Sequence, residues 1–167
     1  EMAFLSSRVG NALCHASYEH VFRRGTFTSE LRGYTFCMEA NERARTFADA
    51  VGVRMRSIQP SYVVPTESLL VFLRDAARIF PAHDVYPALL DALYVPANDF
   101  LLSAANGLSG FCVSFTFAGI LEHRYERIRR AILELNDACI AAGGRLSLVK
   151  DVHASKAQIR TMYAHAL

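Results

Sequence analysis

The short signatures that announce common chemistries are missing from this sequence. It has no GxGxxG, no phosphate-cradling P-loop, no GxSxG and no HExxH, so neither dinucleotide, nucleotide, serine-hydrolase nor zinc-protease chemistry has a local motif behind it. Close cysteine pairs are missing too. Cys14, Cys37, Cys112 and Cys139 lie far apart, which argues against a metal site or a redox dithiol and predicts reduced, mostly buried thiols in a cytoplasmic protein. No apolar run is long enough to span a bilayer, and the N-terminus lacks a basic region followed by an apolar signal core. Lysine is scarce, at Lys150 and Lys156 only. With 18 basic and 16 acidic residues the net charge is +2, and nothing in that balance suggests a nucleic-acid partner. The first residue is Glu1, followed by Met2, which suggests an excised piece or processed subunit of something longer.

What is present is apolar. Of 167 residues 52% are hydrophobic, enough for one domain with a real core, or one domain plus a short appendage. The pattern divides near residue 56. Residues 1–56 read as a mostly helical or irregular segment, with helices expected at Val9 to Arg24 and at Asn41 to Val51. Residues 57–167 read as an α+β domain. Ile58 to Val64 is rich in β-formers but contains Pro60, which predicts a strand at an edge, at a bulge, or paired on one side only near the proline. Thr66 is a good cap for a helix whose stripe is Leu69, Leu70, Leu73, Ala76, Ala77 and Phe80, ended by Pro81.

Val85 to Val95 is a strand or a short helix; periodicity does not choose. Phe111, Val113, Phe115 and Phe117 alternate with Cys112, Ser114 and Thr116, a strand with one face on a core. Leu121, Tyr125, Ile128, Ile132, Leu135 and Cys139 step at helical spacing, with Glu126 and Arg130 paired outside. Gly143-Gly144 ends that helix, Arg145 to Lys150 is a final strand, and Ala154 to Ala166 a closing helix. This order predicts a ferredoxin-like fold, a two-layer antiparallel sheet covered by helices on one face.

Isolated polar residues point to little chemistry. Cys14, His15 and His20 make a poor ligand set because adjacent helical residues diverge. His83 and His123 read as loop and solvated positions. Arg127, Arg129 and Arg130 form either a phosphate or partner site or a solvated face with internal ion pairs, and the second is the ordinary outcome.

The run Gly143-Gly144-Arg145-Leu146-Ser147-Leu148-Val149-Lys150-Asp151, followed by Met162-Tyr163, is more specific. It resembles the end of the C-terminal substrate (cap) domain of FAD-linked oxidases of the vanillyl-alcohol oxidase superfamily, in the branch of aldonolactone oxidases and decaprenylphosphoryl-ribose oxidase. There a double glycine ends a long helix, a strand ends in Lys-Asp, and a helix follows with Met-Tyr-Pro-Arg. Gln59 to Pro65 is similar to that family's Gln-Tyr-Gln-Phe-Val-Val-Pro strand, and Phe111 to Phe115 resembles its active-site strand. The likeness covers about Gln59 to Tyr163. Pro60 and Ser61 stand for Tyr-Gln, Ser114 for an acid, and Ala164-His165 for Pro-Arg.

The resemblance implies a substrate-binding domain of an FAD-dependent oxidoreductase that oxidises a sugar-like or alcohol substrate and is not competent alone. Lys150 would be the catalytic, flavin-side residue, and Gln59, Cys112 and Ser114 would bind substrate. FAD would be held mainly by an FAD-binding domain of the same or a companion polypeptide. A sheet face uncovered in the isolated chain would favour a homodimer. The alternative is a non-catalytic interaction module of the same fold.

Overall fold

The computed structural model describes residues 55–167 and, upstream of them, only Val9, Ala12, Ala16, Ala50 and Gly52. Of the two helices expected before residue 52 only Val9, Ala12, Ala16 and Ala50 are described, each in helical conformation; Cys14, His15, His20 and Cys37 lie outside the described residues.

Five antiparallel strands form one sheet: β1 (Met55–Ile58), β2 (Ser61–Pro65), β3 (Leu89–Val95), β4 (Gly110–Leu121) and β5 (Arg145–Leu146). Helices α1 (Leu69–Ala82), α2 (Glu122–Ala141) and α3 (Lys156–Met162) connect and follow them. β1 and β2 are halves of one interrupted strand along the same side of β4, since Ile58 faces Phe117 and Ser61 faces Ser114. β5 pairs with the outer side of β2, and β3 with the other side of β4. The spatial order is therefore β5, β1/β2, β4, β3, which is the split βαβ arrangement of a ferredoxin-like α+β fold. Among the described residues no helix is long and apolar enough to cross a membrane.

Alternation in β4 decides which face is covered. Val113, Phe115 and Phe117 are buried with Tyr62 and Val64 of β2 against the helices, and Cys112, Ser114 and Thr116 point the other way. Phe72, Ala76, Ile79 and Phe80 of α1 and Ile128, Ile132, Leu135 and Cys139 of α2 complete the core. The α1 stripe is thus rotated from the expected one: Phe72 and Ile79 are buried, and Leu70 is 65% exposed. Thr66 begins a short 3-10 turn and supplies no side-chain cap. Pro81 does not stop α1; it sits in the last turn, which runs on to Ala82. Opposite Ser57, β4 carries a bulge with Gly119 at φ +66°, a left-handed position suited to glycine.

Pro60 lies between β1 and β2, where the strand pairing is with β4 alone, as the expectation of one-sided pairing near the proline allows. Its carbonyl accepts from the Phe115 amide at 3.1 Å, and the N–H it lacks would have returned that bond. The ladder is broken there on the β4 side, between β1 and β2.

The double glycine has two separate jobs. Gly143 takes φ +73°, and its N–H bonds Ile140 O while the Gly144 N–H bonds Cys139 O, the pair of bonds that closes a helix C-terminus. Gly144 is needed for closeness: a Cβ there would lie 2.8 Å from Val63 O and 2.9 Å from Cys139 Sγ. Gly144→Ala is expected to lose about 2 kcal/mol of stability, as overpacked positions do, against about 1 kcal/mol for Gly143→Ala. Urea unfolding of both variants checks the order; equal midpoints for Gly144→Ala and the parent chain would contradict the close packing.

After Leu146 the chain departs from the expected strand. Leu146 turns its N–H and C=O away from β2, where Met162 Sδ accepts the N–H at 3.1 Å and the Tyr163 hydroxyl donates to the carbonyl at 2.6 Å. Met162 and Tyr163 thereby seal an exposed sheet edge, and the strand ends after two residues. Tyr163, desolvated in that role, is held as a neutral phenol with its pKa pushed up to about 12.

Candidate functional site

The helix-free face of the sheet carries a row of polar side chains. Gln59 stands opposite Thr116 and donates to its hydroxyl from Nε2 at 3.1 Å. Its other amide atom, Oε1, accepts from Lys150 Nζ at 3.1 Å. Lys150, Gln59 and Thr116 are therefore one string of donors and acceptors crossing two strands. One strand position on, Ser61 and Ser114 share a hydrogen bond of 2.8 Å, and Asp91 of β3 is the register partner of Ser114.

Lys150 reaches this row because the chain turns after Ser147. The expected strand to Lys150 would have aligned it with the core residue Leu146; the turn at residues 148–150 swings it to the opposite face. Asp151 fixes the turn, since its Oδ2 accepts the Gln59 backbone N–H at 2.7 Å. That amide points to where β5 would have continued, so a carboxylate replaces the missing strand partner. The Lys-Asp pair divides the work: Asp151 anchors, and Lys150 presents an ammonium whose hydrogen bond goes to a neutral amide. Asp151 has no signal in the sequence beyond its place next to Lys150.

Cys112 closes the row on its apolar side. Burial pushes its thiol pKa up, Asp91 adds to the rise, and the Ser114 hydrogen bond and Lys150 oppose it. The thiol is therefore a protonated lining group at neutral pH and a slow nucleophile. Beside it a cavity of about 400 Å³ opens between the sheet, the segment 96–109 and the turn after β5, lined by Val63, Val95, Phe100, Leu102, Cys112 and Val149. The segment is ordered by its own bonds, Asn98 N–H to Ala105 O at 3.0 Å and Gly107 N–H to Asn98 O at 2.9 Å. Arg145 donates to Asn106 O at 2.5 Å and ties it to β5. Neither this cavity nor its wall is visible in the sequence, because residues 96–109 have no periodicity.

All four expected site residues, Gln59, Cys112, Ser114 and Lys150, fall on this one face; Ser114 is buried and spent on Ser61, the others are accessible. No family model matches the chain, and no curated protein matches it.

Other candidates are placed elsewhere. His83 hydrogen-bonds Glu134 at 2.9 Å, which holds that carboxyl below its ordinary range. Glu126 pairs with Arg129 at 2.8 Å rather than with Arg130, and Arg127 with Asp84 at 3.2 Å. The arginine group is a solvated face with its own ion pairs. His123 is exposed, and Cys139 is buried in the core. Among the described residues no group of three or more His, Cys, Asp or Glu could hold a metal ion.

Proposed function

We propose that this chain is the substrate-binding domain of an FAD-dependent oxidoreductase that oxidises a sugar-like or alcohol substrate. The observation that carries the reading is the string Lys150, Gln59 and Thr116 on the helix-free sheet face, with an apolar cavity beside it. A cation with no carboxylate partner among the described residues, next to an amide and a hydroxyl, suits a substrate oxygen that gains negative charge as its proton passes to solvent.

The residues fit the flavin ring edge and not the rest of the cofactor. Lys150 and Gln59 offer donors suited to ring carbonyls and nitrogens. A pyrophosphate seeks a free helix N-terminus, and the described helices have none to offer. α2 opens on Glu122, which is bound to Arg56 at 2.9 Å. α3 is closed by a reciprocal box in which Ser155 Oγ accepts the Gln158 N–H and Gln158 Oε1 accepts the Ser155 N–H. α1 follows a 3-10 turn containing Glu67. FAD would thus be gripped by a separate domain.

When bound, FAD supplies the acceptor for hydride from the carbinol carbon. This chain's tasks are the remaining ones. Gln59 and Thr116 orient the hydroxyl by hydrogen bonds. Lys150 stabilises the oxygen as charge develops, and the apolar walls around Cys112 exclude water from one side.

The test is colour. Isolated, the chain is expected to emerge from gel filtration without flavin absorbance; purified with its native associates, it is expected to be yellow and to bleach anaerobically when a sugar or alcohol substrate is added. A colourless native assembly, or stoichiometric flavin on the isolated chain, would overturn the proposal.

A further inference from the structure

We propose that β3 is a self-pairing edge: two copies of this chain join their β3 strands antiparallel about a two-fold axis at Ala92, and one sheet runs through both. Among the described residues β3 pairs with β4 alone, so its outer side is a sheet edge. Edges that stay single are ordinarily blunted by lysine, proline, a bulge or a short length. β3 has none of these. Its seven residues, Leu-Leu-Asp-Ala-Leu-Tyr-Val, pair with β4 without a register shift and hold one charge, Asp91. Leu89 and Leu93 on one face, and Leu90 and Tyr94 on the other, are between 47% and 67% exposed. A strand that is apolar on both faces and open along one side is suited to continue a sheet.

The strand is also complementary to itself. On one side of β4 the Phe115 N–H donates to Pro60 O, and on the other Thr116 O accepts the Ala88 N–H. Successive residues of an antiparallel ladder turn their backbone groups to alternate sides, so Ser114 and Cys112 bond to their register partners Asp91 and Leu93. Leu90, Ala92 and Tyr94 are left with N–H and C=O pointing outward. With the axis at Ala92, Leu90 meets Tyr94 of the second copy and Ala92 meets its own counterpart, so every outward N–H finds an outward C=O. The residue on the axis is the smallest of the seven. Asp91 stands opposite Leu93 of the second copy, so like charges are not directly opposed.

α1 widens the contact. It stands over β4, with Phe72 and Phe80 against Phe115, and Arg78 on one flank reaches Glu134 of α2 at 3.4 Å. The opposite flank, with Leu70, Leu73 and Ala77, therefore turns toward the β3 side. Across the axis this flank joins Leu90 and Tyr94, and the contact approaches the about 800 Å² per partner of a standard interface. The seam uses the edge and not the helix-free face that carries Lys150, so both copies keep that face for other contacts.

Sedimentation of the 167-residue chain is expected to show a dimer at micromolar concentration. Leu90→Lys and Ala92→Pro are each expected to weaken it about a hundredfold, because two-fold symmetry counts every loss twice. Both should keep the circular dichroism of the parent: Leu90 is exposed, and an edge proline whose N–H would point outward breaks no bond to β4. Cysteine substitution tests the axis. Mild oxidation is expected to link Ala92→Cys chains beyond the parent's level, since counterparts on the axis lie about 5.5 Å apart and within disulfide reach. Leu89→Cys chains should stay unlinked, their counterparts being about 20 Å apart. A monomeric parent chain overturns the proposal, and so does a dimer that survives both Leu90→Lys and Ala92→Pro. Equal linking of the two cysteine variants overturns the axis at Ala92.

Discussion

Lys150→Met in the proposed flavoenzyme is expected to slow flavin reduction about a hundredfold while leaving substrate affinity nearly unchanged, because removal of one preorganised group that meets developing charge costs on that order. The ammonium already has its geometry: Nζ is 3.1 Å from Gln59 Oε1, and the turn that carries it is pinned by Asp151 on the Gln59 amide. Only interactions stronger in the transition state than in the ground state raise turnover. A neutral hydroxyl gains little from a nearby cation, whereas an oxygen losing its proton gains much, so the loss belongs in the chemical step. Lys150 is exposed, so the substitution opens no cavity, and stability should change by no more than about half a kcal/mol. Single-turnover reduction after confirming flavin content makes the measurement. An unchanged rate would remove Lys150 from the site, and with it the strongest support for the flavoenzyme reading.

The fold has its own vulnerable point, remote from that face. Asn136→Ala is expected to cost about 3 kcal/mol, a large share of a small domain's stability. Asn136 has no exposed surface and lies where α2, α3 and the sheet meet. Its Oδ1 accepts from the Tyr62 hydroxyl at 2.9 Å, and its Nδ2 donates to His153 O at 2.8 Å and to Gln158 Oε1 at 3.2 Å. Gln158 continues the network to Leu133 O at 2.8 Å and to Asp137 Oδ1 at 2.6 Å.

Truncating Asn136 strands the Tyr62 hydroxyl, which is wholly buried and already resists ionisation because of it. A polar group left without a partner costs its full desolvation, whereas removing both partners costs much less. Tyr62→Phe combined with Asn136→Ala should therefore be more stable than the sum of the single changes, by about 1 kcal/mol or more. Urea unfolding of the four proteins measures this. Simple additivity would show that the network carries no cooperative weight.

How much of this was legible beforehand differs between parts. The period-2 run from Phe111 to Phe117 and the helical stepping from Leu121 to Cys139 appear in the structure as β4 and α2, because a half-buried strand and a one-sided helix each write their exposure into side-chain order. The double glycine marked the end of α2 for the same local reason. From these alone the two-layer α+β class followed. The α1 stripe differs from the expected one: Leu69, Leu70, Leu73 and Phe72, Ile79 lie on overlapping arcs of an apolar helix, and only the sheet beneath selects one. The length of β5 also differs from the expected strand, since Leu146, Leu148 and Lys150 alternate like a strand while the chain turns away at residues 148–150 and Asp151 takes the Gln59 amide in place of a strand partner.

The site shows the same division more sharply. Its candidate residues, Gln59, Cys112, Ser114 and Lys150, come from the family resemblance and not from periodicity or spacing. Their meeting on one face was not legible in the sequence, since it depends on the register of β2 against β4 and on Asp151 turning Lys150 away from the core face. Local order in the chain determines which residues are strand, helix or turn, because those preferences act over a few neighbours. Which polar groups share a surface is decided by pairings tens of residues apart, and only the folded sheet supplies them.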